Sequence, residues 1–194
     1  MRQQGVVTKA GFTRLMPVGA VLAVKRVQLA PIVIAAEAAP TGVGHAVDLR
    51  KGHWSGVYQA YLITTVTNHR ERLFEEPVSA RAVNHALWHA TEQGFAHTHA
   101  IVVMPDHLHW LMSLGEEIGL SATVGQDKGT SARWINAALN RTGLAVWRPG
   151  FHDHALRTEE NMQGIARYVV ANPLHAGLVA RVGDYSCWDA EWLP

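Results

Sequence analysis

The chain of 194 residues has a single cysteine, Cys187, and only 17% charged residues. One cysteine excludes an internal disulfide framework and favours a buried thiol in a reducing compartment, so we expect a cytoplasmic protein. The apolar runs near the amino terminus are interrupted by Lys25 and Arg26 and stay below the roughly 18 residues that a membrane span requires. We therefore expect no membrane association. With 48% hydrophobic residues, the sequence predicts a globular protein with a substantial core.

The composition changes near residue 47. Residues 1–47 are rich in Val, Ala, Gly and Pro, which predicts a loosely ordered extension, and we expect residues 48–194 to form one domain. The net charge is only +1, but the stretch from Lys128 to Arg181 is basic. Such an excess can contact phosphates, although a solvated helix face explains it equally well.

A turn signal divides two apolar runs in the middle of the chain. Pro105 presets its own backbone angle and Asp106 can hydrogen-bond its own backbone, so the chain is expected to reverse there. The runs 97–104 and 107–114 on either side are therefore predicted to form an antiparallel hairpin.

The second strand of this hairpin carries two histidines two positions apart. Because successive side chains of a strand point to opposite faces, His107 and His109 share one face, while Leu108 and Trp110 take the other. Two neutral imidazoles can hold a divalent cation if a third ligand comes from elsewhere. Spacing alone leaves a chance match open, because the chain has twelve histidines and two other such pairs. Those pairs are His97 with His99, which we expect to be structural, and His152 with His154.

Residue preferences and helix signals predict the elements that precede the hairpin. β-branched and aromatic residues predict a strand over residues 58–67. Pro77 at a first helical position predicts a helix that Gly94 ends. A helix packed on a sheet is the simplest arrangement for this stretch.

The elements after the hairpin are predicted in the same way. The glycine-rich stretch 115–129 is expected to be a loop, followed by a helix over residues 131–140. A short strand is predicted over residues 151–157. Thr158 is predicted to cap a last helix that ends before Pro173, because a residue preceding proline is disfavoured in the α region.

Tyr168 and Asn172 lie four residues apart near the end of this last helix, so they share a face. A phenol and an amide oxygen can be presented to one point from such positions. A lone tyrosine near a helix end is more often a packing residue, and on spacing alone both interpretations stay open.

Two distant motifs in this order resemble the REP-associated tyrosine transposases, a branch of the bacterial single-tyrosine HUH transposases. The first motif is Val-Met-Pro-Asp-His-Leu-His-Trp-Leu at residues 103–111. The second is Ala-Arg-Tyr-Val-Val-Ala-Asn-Pro-Leu-His-Ala-Gly-Leu-Val at residues 166–179. The resemblance covers the chain from Leu49 to Trp188, and it includes Trp147 and the stretch 151–157.

The resemblance implies an α+β fold with a ferredoxin-like central antiparallel sheet and helices packed on one of its faces. It also implies that His107 and His109 bind the catalytic divalent metal, that Tyr168 is the nucleophile and that Asn172 completes the metal shell. Relatives use Gln at this last position, and Asn is one methylene shorter. We expect Mg²⁺ or Mn²⁺, because two imidazoles and an amide leave positions open for water and a phosphate oxygen.

The substrate implied by the resemblance is single-stranded DNA beside a folded hairpin. A monomer or homodimer would process it through a 5′-phosphotyrosine intermediate, in DNA transposition or REP-element processing. Two alternatives stay open, a histidine-metal phosphodiesterase that uses water and an inactive nucleic-acid-binding domain. Basic and aromatic residues in the second half of the domain are the candidate DNA contacts. They are Lys128, Arg133, Arg141, Trp147, Arg148 and Arg157.

Overall fold

The computed structural model describes residues 58–157 and 160–192. The predicted extension over residues 1–47 and its boundary lie outside the described residues, and so does Thr158. The last helix begins at Met162 and is capped by Asn161, whose side-chain oxygen accepts a hydrogen bond from the backbone N–H of Gly164 at 3.1 Å.

Five strands in the described residues form one sheet, on which three α-helices pack. The strands are β1 (Ala60–Val66), β2 (Ala96–Met104), β3 (His107–Leu114), β4 (His152–Ala155) and β5 (Trp188–Ala190). The helices are α1 (Pro77–Glu92), α2 (Leu120–Ala138) and α3 (Met162–His175). No helix in this part of the chain is long and apolar enough to cross a bilayer.

The strand order is β4-β1-β3-β2-β5, and every pairing in the sheet is antiparallel. This arrangement confirms the α+β prediction. The predicted hairpin is β2 and β3, which reverse at Pro105 and Asp106 as expected. The observed bounds of β1, β2, β3, β4 and α1 lie within two residues of those predicted.

Both faces of the sheet are covered by helices. On one face, called here the α1/α2 face, α1 and α2 pack with Leu108 and Trp110 into the larger apolar core. On the other, called the α3 face, α3 packs against Ala100, Val102 and Leu111. The resemblance implied helices on one face only, so the position of α3 corrects that detail. Because both faces of the central strands carry apolar side chains, each face needs a covering layer.

Helix α2 occupies residues 120–129 of the predicted loop 115–129, and it also contains most of the predicted helix over 131–140. Its buried positions recur every three or four residues, as helical packing requires. They are Leu120, Thr123, Val124, Asp127, Ser131 and Ile135. Gly125 and Gly129 lie on the exposed side, so their low helix propensity is offset by burial on the inner side.

Helix α3 continues through Pro173 to His175, although the sequence predicted its end before the proline. Proline has no backbone N–H, so the carbonyl of Val169, four residues earlier, loses its usual donor. The side chain of Asn172 supplies that donor, because its Nδ2 lies 3.1 Å from the oxygen of Val169 and 3.0 Å from that of Tyr168. A side-chain hydrogen bond thus lets the helix pass the proline.

Replacing Gly125 with alanine should increase the free energy of unfolding by about 0.5–1 kcal/mol, the usual cost of glycine inside a helix. An added Cβ at Gly125 meets no atom within 4 Å. Urea denaturation measures the change. The matched control is Gly115→Ala, whose Cβ would come within 1.8 Å of the Gly94 carbonyl oxygen and should destabilise the fold. A loss of stability in Gly125→Ala would contradict its position in an exposed helix.

Asp127 is buried on the inner side of α2, where its Oδ1 finds no hydrogen-bond partner among the described residues. Burial raises the pKa of this carboxyl to about 8, against a smaller lowering by the charge of Lys128. The folded protein therefore carries a neutral carboxylic acid at neutral pH, whereas the unfolded chain ionises near pH 4.

Stability should consequently fall as the pH rises from about 4 to 8, since only the unfolded state releases the proton of Asp127 over that interval. The variant Asp127→Asn keeps the shape and stays neutral, so it should be more stable than wild type at pH 7, by on the order of 4 kcal/mol. Near pH 4 the difference should disappear. Urea denaturation at several pH values tests this, and a constant difference across the range would contradict it.

Candidate active site

The two histidines of the hairpin motif lie side by side on the α3 face of β3. Their ring centroids are 4.9 Å apart and their planes are nearly perpendicular at 86°. Leu108 and Trp110 belong to the core on the opposite face, as the alternation predicted. The hairpin therefore places His107 and His109 next to each other on the face of the sheet on which α3 packs.

Each imidazole has one nitrogen held by a neighbouring side chain. Thr64 lies directly opposite His109 on β1, and its Oγ1 is 2.9 Å from Nδ1 of that histidine. Nδ1 of His107 lies 2.6 Å from Oδ1 of Asp106 in the turn. These contacts fix the ring orientations and leave the two Nε2 atoms as the available metal ligands.

The charge state of His109 suits metal binding. Burial lowers the pKa of its imidazole to about 3, and the neighbouring charge of His107 lowers it further. The ring is therefore neutral near pH 7, which is the form that coordinates a cation.

Asp106 joins His107 to an arginine. Its Oδ2 accepts a hydrogen bond from Nη1 of Arg70 at 3.0 Å. Burial opposes ionisation of the carboxyl, but the bonds from His107 and Arg70 outweigh it and lower the pKa of Asp106. The turn thus presents a carboxylate to the first imidazole, a common way of orienting a metal-binding histidine.

Tyr168 and Asn172 come from the helix that covers this same face. Ile165 and Val169 are buried against the sheet, whereas Tyr168 and Asn172 are partly exposed at the margin of that contact. The ring of Tyr168 lies 5.6 Å from that of His175, one of its own helix's last residues. Since Nδ2 of Asn172 is bound to helix carbonyls, its Oδ1 is the atom left for another partner.

A divalent cation fits the donor set of the histidine pair, which consists of two oriented imidazoles with free Nε2 atoms. Sequence reasoning missed the two groups that orient them. Asp106 lies within the motif but was assigned only to the turn, and Thr64 is identified only by the pairing of β1 with β3. Only the register of the folded sheet reveals the second contact.

The described residues contain one group of three His, Cys, Asp or Glu side chains whose ligand atoms lie within 4.8 Å of one another. This group does not include His107 or His109. It consists of His97, His99 and Glu191. His97 and His99 were expected to be structural, and Glu191 was not singled out.

Three of the predicted DNA contacts are engaged inside the fold. Nζ of Lys128 donates to the carbonyls of Arg148 and Gly150 at 2.7 and 2.6 Å, so it holds the turn before β4. Trp147 is 8% exposed, and its Nε1 donates to Ser131 at 3.0 Å, which leaves its ring in the core. Because the ring of Trp147 is buried, DNA bases cannot stack on it in this conformation.

Arg141 makes a two-pronged ion pair with Glu71, with N···O distances of 2.7 and 2.8 Å. Arg133 and Arg157 are exposed, and Arg148 is partly exposed. Of the predicted contacts, Arg133, Arg148 and Arg157 are therefore the ones with accessible side chains.

The histidine pair on the central strand β3 and the helix that carries Tyr168 and Asn172 thus belong to the same face of the sheet. The chain matches the family described as "Transposase IS200 like" over residues 57–172. This match covers more than half of the chain, which therefore belongs to the IS200-like transposase family.

Individual relatives agree with this family. A REP-associated tyrosine transposase of Escherichia coli (strain K12) is 31% identical over 90 residues, which cover 44% of this chain and 49% of that protein. The match thus spans about half the length of that curated relative. The resemblance found in the sequence motifs is confirmed.

Two solved structures are similar in fold. One is a REP-associated tyrosine transposase bound to a REP hairpin, with a TM-score of 0.56 and 22% identity over 69% of this chain and 77% of that one. The other is a putative transposase from Deinococcus radiodurans, with a TM-score of 0.45 and 24% identity over 60% and 93% of the two chains. The first supports the α+β assignment.

Replacing Thr64 with valine should weaken Mn²⁺ binding by about tenfold or more, because loss of an outer hydrogen bond frees the ring of a liganding histidine. Valine keeps the shape of threonine, so the folded structure should persist. Isothermal titration with Mn²⁺ measures the affinity. Thr65→Val is the matched control, since Thr65 is buried on the other face and its hydroxyl has no partner within the described part of the chain. Equal affinities in both variants would contradict the assignment.

Proposed function

We propose that this chain is a metal-dependent endonuclease and strand transferase for single-stranded DNA. It acts beside DNA hairpins, in DNA transposition or REP-element processing. The observation that carries the proposal is the pair of oriented imidazoles, one of them held neutral, on the face that the tyrosine helix covers. Family membership supplies the type of reaction.

His107 and His109 are the proposed metal ligands through their Nε2 atoms, and Asn172 completes the shell through Oδ1. Asn172 cannot turn its amide nitrogen to the site without leaving two helix carbonyls. A divalent cation held there, Mg²⁺ or Mn²⁺, would neutralise charge on a nonbridging phosphate oxygen and orient the scissile bond.

Tyr168 is the proposed nucleophile. Its phenolic oxygen attacks phosphorus and loses its proton, and the bond from phosphorus to the 3′ oxygen breaks. The products are a free 3′-hydroxyl and a 5′-phosphotyrosine, so the number of phosphodiester linkages is conserved. A hydroxyl that returns to the adduct reverses the same steps and joins DNA without an added energy source.

The proposed substrate follows from this chemistry and from the family. Tyr168 lies at the edge of the contact between α3 and the sheet, where an unpaired strand can reach it more readily than a stacked duplex. In addition, one similar structure is described as bound to a REP hairpin. Arg133, Arg148 and Arg157 are the proposed phosphate contacts. The single cysteine is free, in keeping with the reducing cytoplasm that we propose as the location.

The variant Tyr168→Phe tests the nucleophile. It removes one hydroxyl and keeps the ring that packs beside His175, so folding and hairpin binding should persist. With Mg²⁺ or Mn²⁺ present, wild type should form a denaturation-stable adduct with a labelled single-stranded hairpin DNA. The variant should form neither adduct nor cleaved strand, a loss of at least about a thousandfold because nothing remains to attack phosphorus. Electrophoresis after denaturation measures both products.

Two further samples make the outcome decisive. His107→Ala and wild type treated with a chelator should both lose cleavage, since they lack the bound cation. Undiminished cleavage by Tyr168→Phe, with a free 5′-phosphate, would assign the chain to metal-dependent hydrolysis by water. Binding without any product in wild type would identify an inactive nucleic-acid-binding domain.

A further inference from the structure

A second histidine pair meets a carboxylate at the opposite end of the α3 face. Oε2 of Glu191 lies 2.9 Å from Nδ1 of His99 and 3.4 Å from Nε2 of His97. One oxygen thus faces two ring nitrogens from a neighbouring strand. The three ligand atoms lie within 4.8 Å of one another.

The backbone holds these groups in position before any ion binds. Strand β5 pairs with β2, and the N–H of Glu191 donates to the carbonyl of His99 at 2.9 Å just beyond the paired residues. The pairing of β2 with β3 shifts register between Thr98 and Ala100. The irregularity falls at His99 and helps to set this ring beside that of His97, with ring centroids 4.7 Å apart.

Neighbouring side chains further orient His99. Its Nε2 lies 2.8 Å from Oγ of Ser113 on β3, which leaves Nδ1 to face Glu191. The ring of Trp192 stacks on that of His99 at 5.3 Å with an angle of 11°. A metal-binding histidine usually has an outer hydrogen bond on one nitrogen, while its second nitrogen faces the metal and the other ligands.

The separations suit a small cation of the zinc type. Ligands at about 2.0–2.1 Å from a tetrahedral zinc ion are roughly 3.4 Å apart. The contact from His97 to Glu191 already has this spacing, at 3.4 Å, and that from His99 needs to open by a few tenths of an ångström. Glu191 is 41% exposed in its side chain and His97 58%, so both can adjust. Two imidazoles and one carboxylate favour Zn²⁺ over Mg²⁺.

This cluster is separate from the candidate active site. Ser113, which contacts His99, is four residues from His109 on β3, which corresponds to about 13 Å along a strand. Ala100, Val102 and Leu111 lie on the same face under α3. One ion cannot serve both histidine pairs.

We propose that His97, His99 and Glu191 form a second cation site, selective for Zn²⁺ or a similar borderline metal, that fastens β5 to β2. A bound ion would join residues that are more than ninety positions apart in the sequence, at the edge of the sheet where β5 pairs with β2. The competing interpretation is a hydrogen-bonded cluster in which both rings donate to Glu191 and no metal binds. The proposal does not depend on the reaction assigned to Tyr168.

The test uses the full chain without an affinity tag, carrying His107→Ala and His109→Ala so that the candidate active site cannot contribute. Titration calorimetry with ZnCl₂ should show one bound equivalent, and Zn²⁺ should raise the midpoint of thermal unfolding. Adding either His97→Ala or Glu191→Gln should weaken Zn²⁺ binding at least tenfold and remove the thermal shift. His97 is exposed, so its variant should fold, and its unfolding midpoint without zinc verifies this.

His154→Ala in the same background is the matched control. His154 is also an exposed strand histidine paired with a glutamate, with its Nε2 2.9 Å from Oε1 of Glu160. Among the described residues, no third ligand group joins His154 and Glu160 in the way that Glu191 joins His97 and His99. Its variant should bind zinc as the background does. Absence of zinc binding in the background, unchanged affinity in His97→Ala, or equal weakening by His154→Ala would each overturn the proposal.

Discussion

The alternation of side chains along β3 is the constraint on which the rest of this structure depends. β3 is the central strand of the sheet, and helices pack on both of its faces. Trp110 and its alternate neighbours fill the larger core, so His107 and His109 must lie on the other face. A shift of one residue in register would exchange the two sets and place imidazoles in the apolar core.

Polar rings on a covered face need hydrogen-bond partners, because an unsatisfied buried polar atom costs about 1–3 kcal/mol. The sheet supplies one partner through Thr64, which is paired with His109 across β1 and β3, and the turn supplies the other through Asp106. The contacts that satisfy the fold therefore also orient the ligands. Folding and preparation of the site depend on the same hydrogen bonds.

The parts of the fold that could be predicted from sequence are those with a strong local signal. A proline turn between two alternating runs defined the hairpin, and the alternation placed His107 and His109 on one face of it. Helix α2 was missed because its inner side includes Thr123, Asp127 and Ser131, which dilute the apolar period, while glycines lie on its outer side. Burial in the folded core outweighs propensity there.

The assignment of DNA contacts shows a second limit of sequence reasoning. Lys128 and Arg141 look like free cations in the sequence, yet their partners come from distant segments. Lys128 binds backbone carbonyls twenty residues away, and Arg141 pairs with Glu71 across seventy residues. Residue type and local charge cannot reveal such contacts, because the contacts depend on which distant segments the tertiary fold brings together.

The three His-x-His pairs make the same point about ligand assignment. One member of each pair lies on the α3 face. His109 is paired with Thr64, His154 is paired with Leu62, and His99 contacts Ser113. They differ in their partners. The partly buried His109 meets a neutral hydroxyl, His154 meets Glu160, and His99 meets both a serine and Glu191. Spacing is identical in all of them, so the outer hydrogen bonds and the degree of burial decide which nitrogens remain available to a metal.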